Sequence, residues 1–274
     1  MTKRIKILFI MFQGGHSNLK SWNEYTESKF LDRLKMIGSV YTYQDKIYNI
    51  HHYDKSNSEH KDFDSDIDID LSYVRPNTHI KMVYEDICKK YNIDEYKFIP
   101  ISFSAGVVLA LYFAQVYASQ CSHVVLLDPT GVTKNNMKNL IDDIYKSEGL
   151  DKIYPITNAK YKKLLQQLKT KRDINDLWKI NGIHNYTRWL FMYKHFNILK
   201  FNVPILSFVN MQKPEKYEWS KSFNNKTRME DIKILKKHKT IGCYKAIIFT
   251  NKTHYIFYKI QPAKAIIKEI NRML

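Results

Sequence analysis

A chain of 274 residues that is 44% hydrophobic and 26% charged is long enough for a sizeable core, which excludes a disordered or fibrous class. The net charge of +17 invites a nucleic-acid or anionic-surface reading, but the lysines are scattered among Ile, Asn and Tyr, and this argues against a dedicated basic face. Cys88, Cys121 and Cys243 are too few and too far apart for a disulfide framework or a zinc knuckle, so ordinary thiols in a reducing, cytoplasmic setting are expected.

The opening MTKRIKILFIMFQGG places basic residues before a short apolar run, the pattern of a secretory signal. It lacks a small-residue cleavage site, and a double glycine follows at once, so Ile5 to Phe12 is read as a strand. Its unbroken apolar character suits a strand buried on both faces of a parallel sheet. Gln13, Gly14, Gly15 and His16 follow it, and the glycines allow a sharp turn with exposed amides. Helical spacing of Trp22, Tyr25, Phe30, Leu31 and Leu34 predicts a helix from about Leu19 to Met36, with Gly38 as its C-cap.

Ser39 to Ile47 alternates and predicts a second strand. The polar stretch from His51 to Asp70 carries Asp62, Asp64, Asp66, Asp68 and Asp70 on alternate positions. It resembles a calcium loop but lacks the glycine at position 6 and the glutamate at position 12, so a solvated loop without metal is expected, with His51, His52 and His60 as exposed side chains. Pro76 to Tyr91 predicts a helix with Ile80, Val83, Tyr84 and Ile87 on one face.

The next stretch, YKFIPISFSAGVVLALYFAQVYASQCSHVVLLDPT, is the centre of the chain. An apolar run meets small residues around Ser104, a helix apolar on nearly every side follows, and a second apolar run ends in Asp128. Strands and helices have alternated to this point, the pattern of a doubly wound α/β sheet. From Thr133 to Asn202 only helical patterns occur, predicting a helical cap at 133–202 inserted into a core made of 1–132 and 203–274. The aromatic run Trp178, Tyr186, Trp189, Phe191, Met192, Tyr193 and Phe196 is read mainly as packing of that cap onto the body, with some members lining an apolar pocket. Val203 to Val209 and Tyr244 to Thr250 predict two further strands around a polar helix from Trp219 to Lys239, and Pro262 to Met273 a last helix. No stretch approaches the roughly 18 apolar residues needed to span a bilayer.

Ligands of an open α/β sheet bind beyond the carboxyl ends of its strands. Ser104, Asp128 and His254 fall there in chain order, each after a different strand. At these residues the chain resembles the α/β hydrolases. Ser102-Phe103-Ser104-Ala105-Gly106 is similar to the family's GxSxG nucleophile elbow with serine for the first glycine, and small residues are needed there because the nucleophile sits at strained backbone angles. Gln13-Gly14-Gly15 resembles the His-Gly turn after the family's first central strand, with glutamine for histidine. Asn251 to His254, followed by Gln261 and Pro262, resembles the segment that delivers the family's histidine.

Most of the family keeps its acid after the strand corresponding to Val203–Val209, where this chain offers Asn210 and then Glu215. Asp128 lies 24 residues after Ser104 in a Leu-Asp-Pro setting similar to lipases of the pancreatic type, and it is preferred, with Glu215 the alternative. The resemblance implies a serine esterase or lipase-like enzyme acting on a carboxylic ester or thioester, with no metal or cofactor. It further implies Ser104 as nucleophile, His254 as base, the amides of Gly15 and Ala105 as oxyanion donors, and a small-molecule ester with an apolar acyl group as substrate. A hydrolase-like binding protein without turnover, or a basic protein for nucleic acid or anionic surfaces, are the rival readings. Bias and layout are also similar to those of α/β hydrolases of giant DNA viruses, which would put the chain in a host cytoplasm or a virion.

Overall fold

The computed structural model describes residues 5–14, 22, 27–42, 74–147, 149–152, 155–171, 174–211, 225–237, 245–250, 254 and 256–274. Their centre is a six-stranded sheet of β1 (Lys6–Phe12), β2 (Ser39–Thr42), β3 (Tyr96–Phe103), β4 (Val124–Leu127), β5 (Ile205–Asn210) and β6 (Lys245–Phe249), in the spatial order β2-β1-β3-β4-β5-β6 with every neighbour parallel. The chain winds outward from β1 to β2, then returns across β1 to β3 and continues the other way. The winding direction therefore reverses between β1 and β3, the switch point at which α/β sheets open a crevice.

The inner strands β1, β3, β4 and β5 are apolar because they are covered on both sides, whereas the edge strand β6 is partly exposed. Along β1, Leu8, Ile10 and Phe12 face a layer of α2 (Pro76–Lys90), α3 (Val107–Val116) and part of α6 (Ile174–His195), while Phe9 and Met11 face α1 (Phe30–Lys35) and α8 (Ile260–Met273). Central β3 splits the same way, with Phe98 on the first face and Ile99, Ile101 and Phe103 on the second. Seven residues of α3 are buried, from Val107 to Ala114, so almost no side of it meets solvent. A fully buried Leu or Phe contributes about 1.5–3 kcal/mol, which makes this helix a principal anchor of the sheet.

Between β4 and β5 lie α4 (Lys134–Ser147), α5 (Asn158–Lys171) and α6. These helices have a cluster of their own, with Val74, Tyr161, Leu165, Ile180 and Ile183 buried together. The far half of α6 joins the main body, where Trp189, Met192 and Phe196 are buried against the sheet layer and Phe191 meets Tyr112 edge-on at 5.0 Å. The aromatic run thus packs helices to sheet, as expected of most of its members. After β5 comes α7 (Asn225–Lys237).

Two expectations change. Of the helix predicted from Leu19 to Met36, residues 19–21 and 23–26 lie outside the described residues, and the part described from residue 27 is helical from Phe30, after a left-handed Lys29 (φ 47°). Residues 27–29 cannot be helical because Ser28 is tied across the chain, its N–H donating to the Tyr258 carbonyl (3.2 Å) and its hydroxyl to the Phe257 carbonyl (2.5 Å). Gly38, expected as a left-handed cap, has no positive φ; a side chain there would meet the Phe9 ring at 2.8 Å, so packing is what excludes one. Cys121 is buried, and burial pushes its thiol up to about 12, whereas Cys88 is exposed on α2. Among the described residues, no helix is long and apolar enough to cross a membrane. The Asp62–Asp70 series, its histidines and Cys243 lie outside the described residues.

Candidate active site

The turn after β3 is tight because the end of β1 closes against it. Ser104 is left-handed at φ 52°, a conformation that costs a non-glycine residue of order 1–3 kcal/mol. The single turn of 3-10 helix at Ser104–Gly106 leads straight into α3, as a strand-to-helix elbow requires. Gly106 faces the end of β1 so closely that a Cβ would lie 2.4 Å from the Gln13 carbonyl oxygen and 2.6 Å from that of Phe12. Gly14 is nearly as crowded, with a Cβ placed 3.0 Å from both the Phe103 carbonyl oxygen and Ser104 Cβ. The two glycines therefore let the β1 turn close against the serine turn at the switch point.

Asp128 stands one strand over. It too is left-handed, at φ 45°, and is fully buried. Its N–H donates to the Phe208 carbonyl (2.7 Å), which ties the end of β4 to β5. Its Oδ1 accepts from the Asn210 N–H at 2.9 Å. Its Oδ2 lies 2.5 Å from His254 Nδ1 and accepts from Arg228 Nη2 at 3.0 Å. A buried carboxylate is tolerated only with such compensation.

His254 reaches this position because the residues after it are nailed down. Ile256 and Phe257 are buried on the α1 and α8 side of the sheet, where the Phe257 ring lies 4.7 Å from Trp22, 5.0 Å from Phe103 and 5.5 Å from Phe30. The imidazole itself is 4.6 Å from the ring of Phe103, the residue immediately before Ser104. Its side chain is 24% exposed, so the ring turned toward a buried acid still has an open side.

The structure brings Asp128 into contact with His254, and sets His254 beside Phe103, the residue that leads into the Ser104 turn. Ala105 follows Ser104 at the start of the helical turn, where amides have no partner within the helix. Gly15 and Glu215 lie outside the described residues. Sequence reasoning missed Arg228, which lies in a stretch read only as a polar helix; the one available cue was that few of the 44 basic residues are arginine. Among the described residues no group of three or more His, Cys, Asp or Glu could hold a metal ion. Two surface clefts among them, of about 220 and 340 Å³, are lined by residues around His123 and Lys245 and by residues around Arg75 and Phe191, and contain neither Ser104 nor His254.

Solved structures that superpose on the chain belong to one fold. A monoglyceride lipase variant from Saccharomyces cerevisiae, 14% identical, is matched over 99% of this chain and 86% of its own with a TM-score of 0.59. An epoxide hydrolase from Bacillus megaterium, 12% identical, is matched over 99% and 93% with a TM-score of 0.57. A lipase-esterase related protein from Clostridium acetobutylicum, 16% identical, is matched over 100% and 96% with a TM-score of 0.54. No family model matches the chain, and no curated protein matches it. The chain has the α/β hydrolase fold.

Proposed function

We propose that the protein is a serine hydrolase that cleaves a carboxylic ester or thioester through an acyl-enzyme, with Ser104 as nucleophile, His254 as general base and acid, and Asp128 as the acid of the triad. The observation that carries this reading is the 2.5 Å contact between His254 Nδ1 and Asp128 Oδ2 beside the left-handed Ser104 turn. His254 Nδ1–H donates to the carboxylate, which leaves Nε2 as the basic nitrogen. Nε2 takes the proton of the Ser104 hydroxyl as Oγ attacks the carbonyl carbon. The oxyanion that forms accepts from the amides of Ala105 and Gly15, each worth about 3–4 kcal/mol in a comparable site. The tetrahedral intermediate collapses as His254 returns its proton to the departing alcohol or thiol. Water, activated by the same nitrogen, then releases the acid and restores Ser104.

The neighbours of the fold include enzymes named for ester and epoxide chemistry, which is consistent with hydrolysis of a small molecule. The helices at 133–202 act as the cap in this reading, and their aromatic content favours an apolar acyl group. Wild-type protein treated with a fluorophosphonate probe becomes labelled, and Ser104→Ala does not. Folded wild-type protein that stays unlabelled sinks the enzyme reading in favour of a hydrolase-like binder. In a panel of esters, medium acyl chains are hydrolysed faster than acetyl or charged ones.

A further inference from the structure

We propose that Arg228 is a positioning residue for the Asp128–His254 pair, holding the carboxylate in its working orientation. This rests on the triad reading above. The guanidinium is buried at 7% exposure and spans two acceptors, Asp128 Oδ2 at 3.0 Å through Nη2 and the Asn210 carbonyl oxygen through Nη1. A planar fork with a permanent charge suits that double contact, and an ammonium does not.

Asp128 has no exposure to water, and its anion needs a compensating cation. Two groups give it a charged or chargeable contact among the described residues, Arg228 and His254. Arg228 holds the same Oδ2 that faces His254 Nδ1, so the guanidinium fixes where the carboxylate presents itself to the ring.

Geometry points the same way. Asp128 and Thr133 bound a short loop between β4 and α4, and α7 grips both ends of it. One turn beyond Arg228 on the same face, Asp231 accepts from the N–H groups of Val132 (3.2 Å) and Thr133 (3.1 Å) and from the Thr133 hydroxyl. Burial raises the pKa of Asp231 and these hydrogen bonds act against the rise, so the carboxyl is committed to the loop. Three elements thus converge on Asp128: Asn210 from β5, Arg228 from α7 and the His254 segment.

Arg228→Met and Arg228→Lys test the assignment with two readouts. The first is the rate of fluorophosphonate labelling at Ser104, and the second is the proton NMR signal of the His254 Nδ1–H, which reports its hydrogen bond to Asp128. The expected result is labelling about 100-fold slower in Arg228→Met, the scale of a small misplacement in a catalytic group. Its His254 Nδ1–H signal moves away from the position of a ring hydrogen-bonded to a carboxylate, and Arg228→Lys falls between. Labelling at the wild-type rate with an unchanged His254 spectrum overturns the proposal. If Arg228→Met does not fold, Arg228→Lys carries the comparison, and a wild-type rate and spectrum there overturn it. If wild-type protein is not labelled at all, the serine-hydrolase reading fails by itself, and the spectrum alone decides whether Arg228 orients the pair.

Discussion

Two histidines of this protein have similar company and opposite settings. His254 meets a carboxylate, Asp128, at 2.5 Å, and that carboxylate meets Arg228. His184 Nε2 meets the Tyr161 hydroxyl at 2.6 Å, and Arg188 follows one turn later on α6, its Nε donating to the Val74 carbonyl at 3.3 Å. The second group lies between α5 and α6, with His184 only 2% exposed, and burial, then the charge of Arg188, holds its imidazole well below the usual range. A neutral, enclosed histidine hydrogen-bonded to a phenol holds two helices together. A partly open histidine backed by a carboxylate at the ends of strands can move a proton. Residue type does not separate the two; the partner and the position on the sheet do.

The strongest way to break the comparison is at the acid. Asp128→Asn should lower kcat by about four orders of magnitude, because the amide no longer fixes the proton on His254 Nδ1. A steady-state assay on the best ester checks this, and a loss below tenfold would remove Asp128 from the triad. Asp128→Ala should also destabilise the fold by about 3–5 kcal/mol, read from urea unfolding, because it leaves the Arg228 cation buried without its carboxylate.

The opposite outcome is expected in the helical cluster. Tyr161→Phe removes the hydroxyl that His184 Nε2 meets and should cost about 1–3 kcal/mol of stability while kcat and KM stay at wild-type values. A kcat reduced tenfold in folded Tyr161→Phe would mean that this second histidine belongs to the chemistry after all.

The smallest effect is on pH dependence. The folded pKa of His184 is depressed, so between that value and about 6.5 the unfolded chain binds a proton that the folded chain refuses. The stability that follows is present in full above pH 6.5 and is lost as pH falls through that window, at up to about 1.4 kcal/mol per pH unit. Melting temperatures measured from pH 7.5 to 5 should fall less steeply for His184→Gln than for wild type, and parallel curves would contradict the assignment.

Much of this was legible in the residues. Unbroken apolar runs such as Ile5 to Phe12 announce parallel strands because both faces are covered, and the small residues around Ser104 announce a turn too tight for anything larger. Residues 27–29 misled, since they continue the helical spacing but Ser28 is claimed by the chain more than two hundred residues later. Arg228 was not legible, because a buried arginine and an exposed lysine look alike in a polar helical stretch of a strongly basic chain.

By itself, then, the sequence determined the order of strands and helices, the elbow at Ser104 and an acid at the end of the next strand, all of which follow from local sterics and from hydrophobic patterning along the chain. Only the tertiary structure decided what meets Asp128. Its three partners come from positions 210, 228 and 254, and no local rule relates residues that far apart. Burial of the carboxylate forces such a convergence, since its charge must be met by donors from whichever elements the sheet brings within reach.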